Sequence, residues 1–545
     1  MMGLHTAGHR RGVVAAPHAA ACEAGRSILA EGGNALEAMV AMAATIAAVY
    51  PHMTHIGGDG FWLIRDPRGR VRAIEACGSA GAQAAPEIYR DHEAIPPRGP
   101  LAALTVPGAV GGWIVALEAA HALGGRLPRD VLLAPAVRAA KEGYVVTRSQ
   151  ARLTAEKLTE LADLPGFAEA FLVAPASGGA AAEKAKAKGR AAPQPGTRLR
   201  QEALAATLDH LAHAGLEDFY RGDVGYEMSA DLARIGSPVT RPDLERYQAV
   251  LRDPLAVAIA PGTLYNTPPP TQGLASLVIL ALFDRLDVSE ADSFDHVHGI
   301  VEATKRAFGI RDRFITDFDH LAHPPERFLD PAFLDREVAR IDRRRAAPWP
   351  APDGDGDTVW MGAADASGLV VSYIQSLYWE FGSGCVLPRT GVVMQNRGAS
   401  FSLLPGALNR LAPGRKPFHT LNPALAVLRD GRIIAYGTMG GDGQPQTQAA
   451  VFTRHVHFRQ PLAAALDAPR WLLGRTWGSK VTSLRLEPRF PDRLVDRLLA
   501  AGHDIDVLGE PYSDTMGHAG AVVLHPDGSL EGAHDPRADG GAAGL

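Results

Sequence analysis

The sequence predicts a mixed α/β protein in which helices cover both faces of antiparallel sheets. Three observations carry that prediction. Six segments show the helical spacing of apolar residues, five short runs rich in β-branched and aromatic residues read as strands, and two pairs of those runs are joined by tight turns. Tight turns impose antiparallel pairing, and helices before and after such hairpins bury their apolar stripes against the sheets.

The helices are expected over 19–31, 35–50, 111–123, 134–142, 201–213 and 293–314, the last opened by Ser293 as an N-cap. Segment 35–50, ALEAMVAMAATIAAVY, is apolar on every side and ends at Pro51, so it reads as a buried helix. It carries Glu37 and is shorter than the roughly 20 residues a membrane span needs. Strands are expected at 61–65, 358–364, 369–375, 424–428 and 433–437, with hairpin turns over 365–368 (DASG) and 429–432 (RDGR). Residues 174–195 are mostly Ala, Lys, Gly and Pro and read as an exposed insertion, and 346–357 (AAPWPAPDGDGD) is a second soft stretch.

Composition narrows the function. A chain of 545 residues that is 46% hydrophobic and 21% charged is an ordinary folded protein. Its net charge of -5, with both signs mixed, gives no electrostatic footprint for nucleic acid or an anionic membrane, so a small molecule is the expected partner. Three scattered cysteines, Cys22, Cys77 and Cys385, suit a reducing compartment, and no apolar run follows the basic N-terminal residues as a secretory signal requires. The cytoplasm is the expected location. No cofactor or metal is expected: His52, His55 and Asp59 lie in a Gly-rich turn, and Gly57 to Gly60 is not followed by a helix as a phosphate loop would be. His5, His9, Arg10 and Arg11 read as a disordered arm.

The chemistry begins at Thr358. A hydroxyl at the head of a strand, directly after a soft acidic loop, suits a nucleophile that attacks the carbonyl of Asp357 and cuts the chain. A free Thr α-amino group titrates near pH 8, so the new terminus supplies nucleophile and base in one residue. An ordinary strand start reads the same way, and further signals are needed. One is Gly440 and Gly441, between a strand and a helix, where successive backbone amides suit an oxyanion, although a tight turn has the same composition. Another is Ser376 upstream of 381–384 (FGSG), which offers hydroxyls and a compliant backbone beside the first hairpin.

In that order, PHAAACEAGRSILAEGGNALEAMVAMAATIAAVYPHMTHIGGDGFWLI, VPGAVGGW, TPPPTQG, EATKRAFGIRDR, GDTVWMGAADASGLVVSYIQS, KPFHTLNPA, GTMGGDGQPQTQ and DPRADGGAAG resemble the gamma-glutamyltransferase family of N-terminal nucleophile hydrolases. The resemblance spans nearly the whole chain. It implies a four-layer αββα sandwich with two stacked antiparallel sheets, forming one globular domain. It also implies cleavage between Asp357 and Thr358 into a large chain, 1–357, and a small chain, 358–545, that stay together as a heterodimer, with a dimer of these as a further possibility. Thr358 is then the nucleophile, Ser376 assists it, and Gly440 and Gly441 line the oxyanion hole. His419 and Thr420 fall where the family places hydroxyls that contact a substrate carboxylate.

Two departures bear on substrate. Glutamyl-transferring members hold the α-carboxylate with an Arg where this chain has Cys77. They hold the α-amino group with acidic residues where 395–401 reads QNRGASF, with Ala399 and Ser400 at the acidic positions and Arg397 new. Arg397 reads as an anion clamp or as a structural cation. The pattern is similar to the amidohydrolase branch of the family, which includes oxamate amidohydrolase and some acylases. Three functions follow: an amidohydrolase acting on a small carboxylated amide, with Arg397, His419, Thr420 and Ser400 around its anion; a gamma-glutamyl hydrolase or transpeptidase with a rebuilt pocket; and an uncleaved ligand-binding pseudoenzyme.

Overall fold

A computed structural model of the chain describes residues 3–175, 189–349, 357–474 and 481–545. Two sheets of seven strands each form its centre. In chain order the first strands are β1 (His5–His9), β2 (Gly12–Ala16), β3 (Asp59–Arg65), β4 (Val71–Ala76), β5 (Val250–Arg252), β6 (Leu255–Ile259) and β7 (Gly262–Asn266). The rest are β8 (Asp357–Asp365), β9 (Val370–Tyr378), β10 (Ala424–Leu428), β11 (Ile433–Thr438), β12 (Ala519–Leu524), β13 (Leu530–His534) and β14 (Gly541–Gly544).

One sheet runs β14-β2-β8-β9-β3-β4-β5 and the other β1-β13-β12-β11-β10-β7-β6, all neighbours being antiparallel. Both expected hairpins are present. The β8/β9 turn is held by Asp365, whose carboxylate accepts from Ser367 N at 2.9 Å and from Ala35 N at 2.8 Å, so one side chain fixes a turn and the start of a helix.

The sheets face each other across a dry layer that includes Val13, Phe61, Trp360, Ile374, Leu425 and Val522. Trp360 of β8 lies so close to β11 that a Cβ on Gly437 would stand 2.1 Å from its ring, so only glycine fits there. Outside the first sheet pack α1 (Ala19–Ala30), α2 (Ala35–Val49), α3 (Ala109–Ala122) and α4 (Arg129–Glu142). Outside the second pack α5 (Gly273–Arg285), α6 (Phe294–Phe314) and α7 (Gln444–Phe452). The four layers are therefore α, β, β and α.

α2 is buried along its whole length, as its apolar circumference requires. Ser293 caps α6 by accepting from His296 N at 3.2 Å. α4 begins five residues earlier than its expected start and takes Pro135 inside it, a residue that reads as a helix breaker in sequence. The N-terminal arm is a correction: His5–His9 is an edge strand on β13, and the backbone amides of Arg10 and Arg11 donate to Leu545 O at 3.1 and 3.0 Å. Backbone pairing, which composition does not reveal, orders it.

Of the expected insertion, 176–188 lie outside the described residues; at its flanks Val173 and Ala191 exchange two backbone hydrogen bonds of 2.9 Å. Of the second soft stretch, 350–356 lie outside the described residues, while Ala346 N donates to Ala501 O at 2.8 Å. Among the described residues, no helix is long and apolar enough to cross a membrane.

Candidate active site

β8 does not pair evenly with β9. Asp357 faces Tyr378 and Val359 faces Gln375, so Thr358 alone stands opposite two residues of β9, Ser376 and Leu377; the β-bulge is on β9, a device that re-aims side chains at the end of a ladder. Thr358 is buried, and its Oγ1 donates to Ser376 Oγ at 3.4 Å and accepts from Gln444 Nε2 at 3.3 Å. Ser376 Oγ also accepts from Tyr378 N at 2.8 Å. The hydroxyl is thereby held from two sides, by a strand of its own sheet and by the helix that follows the opposite one.

The chain is strained just past Ser376. Tyr378 and Phe381 have φ of 87° and 60°, left-handed values that cost energy in residues other than glycine and that collect at functional sites. The Tyr378 ring lies 3.6 Å beneath the Arg397 guanidinium, within cation–π range. Arg397 is buried; its Nη1 and Nη2 reach Thr420 Oγ1 at 3.4 and 3.3 Å, and its Nε has no hydrogen-bond partner among the described residues. Burial pulls its pKa down to about 10, which still leaves it charged at neutral pH.

The neighbouring acid is Asp59, the first residue of β3. Its Oδ1 accepts from Gln395 Nε2 and Gly108 N at 3.0 Å each, and from Gly78 N at 3.4 Å. Its Oδ2 stands 3.0 Å from His419 Nε2, close but without hydrogen-bond alignment. Burial pushes Asp59 up to about 7, against the pull of Gln395 and of the Arg397 charge, and burial with the same charge holds His419 well below its ordinary range. His419 is therefore neutral, and Asp59 is poised between two states.

Gly440 and Gly441, at φ of 116° and 51°, carry the chain from β11 through a short turn into α7. Such positive values favour glycine, and the first amides of a helix lack intrahelical acceptors. Gln272 clamps this turn, donating to Gly441 O at 2.8 Å and Thr420 O at 2.7 Å. Arg311 backs it, donating to Gln272 Oε1 at 2.9 Å and Asp442 Oδ1 at 2.8 Å.

The structure thus joins Thr358 to Ser376, leads from Gly440 and Gly441 to Gln444 against Thr358, and joins Arg397 to Thr420 with His419 adjacent. Ser400 is on the Arg397 turn, but its hydroxyl is 3.0 Å from the carbonyls of both Arg397 and Phe418, so its proton serves the backbone. Asp59, Gln272, Arg311 and Gln444 were not singled out for the site from sequence. A signal existed in QPQTQ, where Gln444, Gln446, Thr447 and Gln448 are all buried in a helix without a polar face. Among the described residues one group, His298, Glu302 and His503, has metal-ligand spacing, and it lies elsewhere, on and beside α6. Lys305 Nζ, 2.7 Å from Glu302, already supplies a cation there.

The gamma-glutamyltranspeptidase family profile matches residues 21–545. The chain belongs to the gamma-glutamyltranspeptidase family. It is 53% identical over 535 residues to the oxamate amidohydrolase proenzyme of Klebsiella pneumoniae, covering 98% of each chain. It is 27% identical to the glutathione hydrolase proenzyme of Escherichia coli, covering 98% of this chain and 92% of that one. A crystal structure of cephalosporin acylase from Bacillus halodurans superposes with a TM-score of 0.88 at 30% identity, covering 100% of this chain and 97% of the other. The family and fold are those of N-terminal nucleophile hydrolases, and the chain is an enzyme of that type.

Asp59 yields a test that does not depend on any substrate. A carboxyl whose pKa is raised on folding contributes stability below its unfolded value near 4, and that contribution is lost as pH rises through about 7. Asp59→Asn should therefore gain thermal stability relative to wild type as pH rises from 5 to 8, as scanning calorimetry would show. A difference that stays flat with pH would place the Asp59 pKa outside that window.

Proposed function

We propose that this protein is a self-cleaving amidohydrolase that uses Thr358 as nucleophile and hydrolyses a small carboxylated amide. The observation that carries the substrate class is Arg397: a buried guanidinium, stacked on Tyr378 and bonded to Thr420, on the segment where the resemblance implies acidic residues in glutamyl-transferring members. The similarity to an oxamate amidohydrolase proenzyme supports the same reading.

In the first step Thr358 Oγ attacks the carbonyl carbon of Asp357, the peptide nitrogen leaves as the Thr358 amine, and water hydrolyses the resulting ester. Turnover then repeats this chemistry on an external amide. The neutral amine takes the hydroxyl proton, Oγ attacks, the N–H groups of Gly440 and Gly441 hold the oxyanion, and the proton passes to the departing ammonia. Water, deprotonated by the same amine, releases the acid. The two chains should remain together, because β8 of the small chain is hydrogen-bonded to β2 and β9 to β3 of the large one. Cytoplasmic residence, suggested by three free cysteines, belongs to the same proposal.

Asp59 favours a second reading, since an ionised acid in the pocket suits the ammonium of a gamma-glutamyl substrate.

Maturation comes first in testing. Purified protein should run on a denaturing gel as fragments of about 38 and about 20 kDa, from residues 1–357 and 358–545 of a 57.7 kDa chain. Edman sequencing of the smaller should begin Thr-Val-Trp-Met, with Thr358→Ala uncut and inert and Thr358→Ser partly active. Full activity in an uncut chain would sink the nucleophile assignment.

The oxyanion turn is tested by Gly441→Val, whose side chain disfavours the left-handed φ of 51°. Turnover should fall about 100- to 1000-fold or more while circular dichroism stays close to wild type. Unchanged turnover would move the oxyanion donors elsewhere.

Specificity separates the two readings. On cleaved protein, ammonia release from oxamate should outpace release of p-nitroaniline from gamma-glutamyl-p-nitroanilide, and Arg397→Ala should raise KM for oxamate about tenfold or more, the loss of a charge-assisted contact. Efficient glutamyl turnover indifferent to Arg397 would restore the glutamyl reading.

A further inference from the structure

Gln444 holds the Thr358 hydroxyl through only one end of its amide. It is the first residue of α7, wholly buried, and its Nε2 donates to Thr358 Oγ1 at 3.3 Å. Its Oε1 has no hydrogen-bond partner among the described residues. A buried amide oxygen without a donor is rare and calls for a reason. Gln446 donates to Leu473 O at 3.0 Å and accepts from Leu473 N at 2.8 Å, and Gln272 likewise uses both ends, whereas Gln150 and Gln395 also have an Oε1 unpartnered among the described residues but turn their amides to Tyr144 and Asp59. Gln448 Oε1 is also unpartnered, but its amide faces Asn422 rather than Thr358.

Cleavage after Asp357 changes the inventory of donors at this place. The Thr358 nitrogen carries one N–H while it is a peptide amide and becomes an amine with more when the bond is cut. Those protons belong to the residue whose Oγ1 already touches the Gln444 amide, and the oxygen of that amide shares a carbon with the touching nitrogen. We propose that Gln444 is a two-ended positioning residue, its Nε2–H orienting the nucleophilic oxygen and its Oε1 accepting from the amine that cleavage releases. The proposal rests on the reading of Thr358 as an N-terminal nucleophile, and it adds a residue to that reading which neither the turn glycines nor Ser376 supply.

The consequence has a sign. An acceptor beside the amine favours the ammonium form and raises its pKa above what the same site would give without it. Activity requires the neutral amine, so the acid limb of the rate profile marks that pKa. Replacing the acceptor by an apolar side chain of similar length should move the limb to lower pH. Replacing it by a carboxylate should move the limb up.

The test uses the full chain and a probe that needs no knowledge of the natural substrate, the burst of p-nitrophenol as p-nitrophenyl acetate acylates the enzyme. Processing is followed on a denaturing gel first, and bursts are measured on fully cut protein. Gln444→Met should lower the acid limb, and Gln444→Glu, which keeps the shape of the side chain, should raise it, each by about one unit. Loss of the Nε2 contact should also slow the Gln444→Met burst at its optimum at least tenfold. A merely structural role would change stability and amplitude without moving the limb. If Gln444→Met stays uncut, Gln444→Glu decides alone. Two cut variants, or a cut Gln444→Glu alone, with the wild-type limb would overturn the role of Gln444 and leave the nucleophile standing. A wild-type chain that is never cut would remove the amine, and the nucleophile reading would fail together with this one.

Discussion

Trp360 is wedged between the two sheets, and its fit sets how closely the turn after β11 approaches Thr358 from the opposite sheet. Three glycines make room for it: Cβ atoms on Gly362, Gly437 and Gly520 would stand 2.6, 2.1 and 2.5 Å from its ring. Interiors are close-packed and tolerate little adjustment, so such a wedge fixes the approach of the sheets to within a fraction of an ångström. Trp360 follows Thr358 by two residues on β8, and Gly437 precedes Gly440 by three at the end of β11. The hydroxyl and the turn amides therefore come from opposite sheets yet share one rigid reference point. The bulge on β9, where Ser376 and Leu377 together face Thr358, supplies the last correction, re-aiming the strand that carries Ser376.

Charge is arranged with the same economy. Arg397 keeps its charge in a buried place because an aromatic face lies beneath it and Asp59 lies in its field. Asp59, with one oxygen saturated by three donors and the other turned toward a neutral His419, rests near its midpoint at neutral pH. With Asp59 neutral, the group formed with Arg397 and the neutral His419 carries a net positive charge, which on the proposed function suits one carboxylate. With Asp59 ionised, the pocket is balanced, and an entering anion must compete with an internal one. On that reading a single acid would set the pH range over which the site discriminates among substrate charges.

What the sequence made legible follows from what each signal measures. The Asp-Gly turn at 430–431 and the DASG turn at 365–368 are local chemistry, and both hairpins stand where they were read. α2 is apolar all round, and it is buried all round. The strands that were not foreseen, such as Gly12–Ala16 and Gly541–Gly544, are short and built of Gly, Ala and Val, a composition with little β signal of its own; neighbours make them strands. The order of motifs carried the family, because order over a whole chain is hard to imitate by chance. Asp59 was passed over because a Gly-rich turn hides a carboxylate as easily as it displays one, and only the approach of His419 and Arg397 from distant segments gives it meaning. Gln444 was passed over because a glutamine after a turn has no chemistry until Thr358, 86 positions earlier, is brought against it.

If, as proposed, Thr358 first cuts the chain and then an external amide, the same geometry serves two reactions, and this accounts for where the strain is kept. Asp357 is paired across from Tyr378, so the peptide bond between 357 and 358 is held beside the residue of φ 87°. Tyr378 carries Arg397 on its ring and donates to Ser376, which in turn meets Thr358. A strained residue persists only where its surroundings over-determine it, and Tyr378 is fixed by the strand before it, by the cation above it and by the hydroxyl it feeds. It links Ser376 and Thr358 to Arg397 through one backbone amide and one ring. Any substitution that relaxed its backbone would move the hydroxyl and the guanidinium together, so on the proposed function orientation of the nucleophile and recognition of charge are coupled in this site.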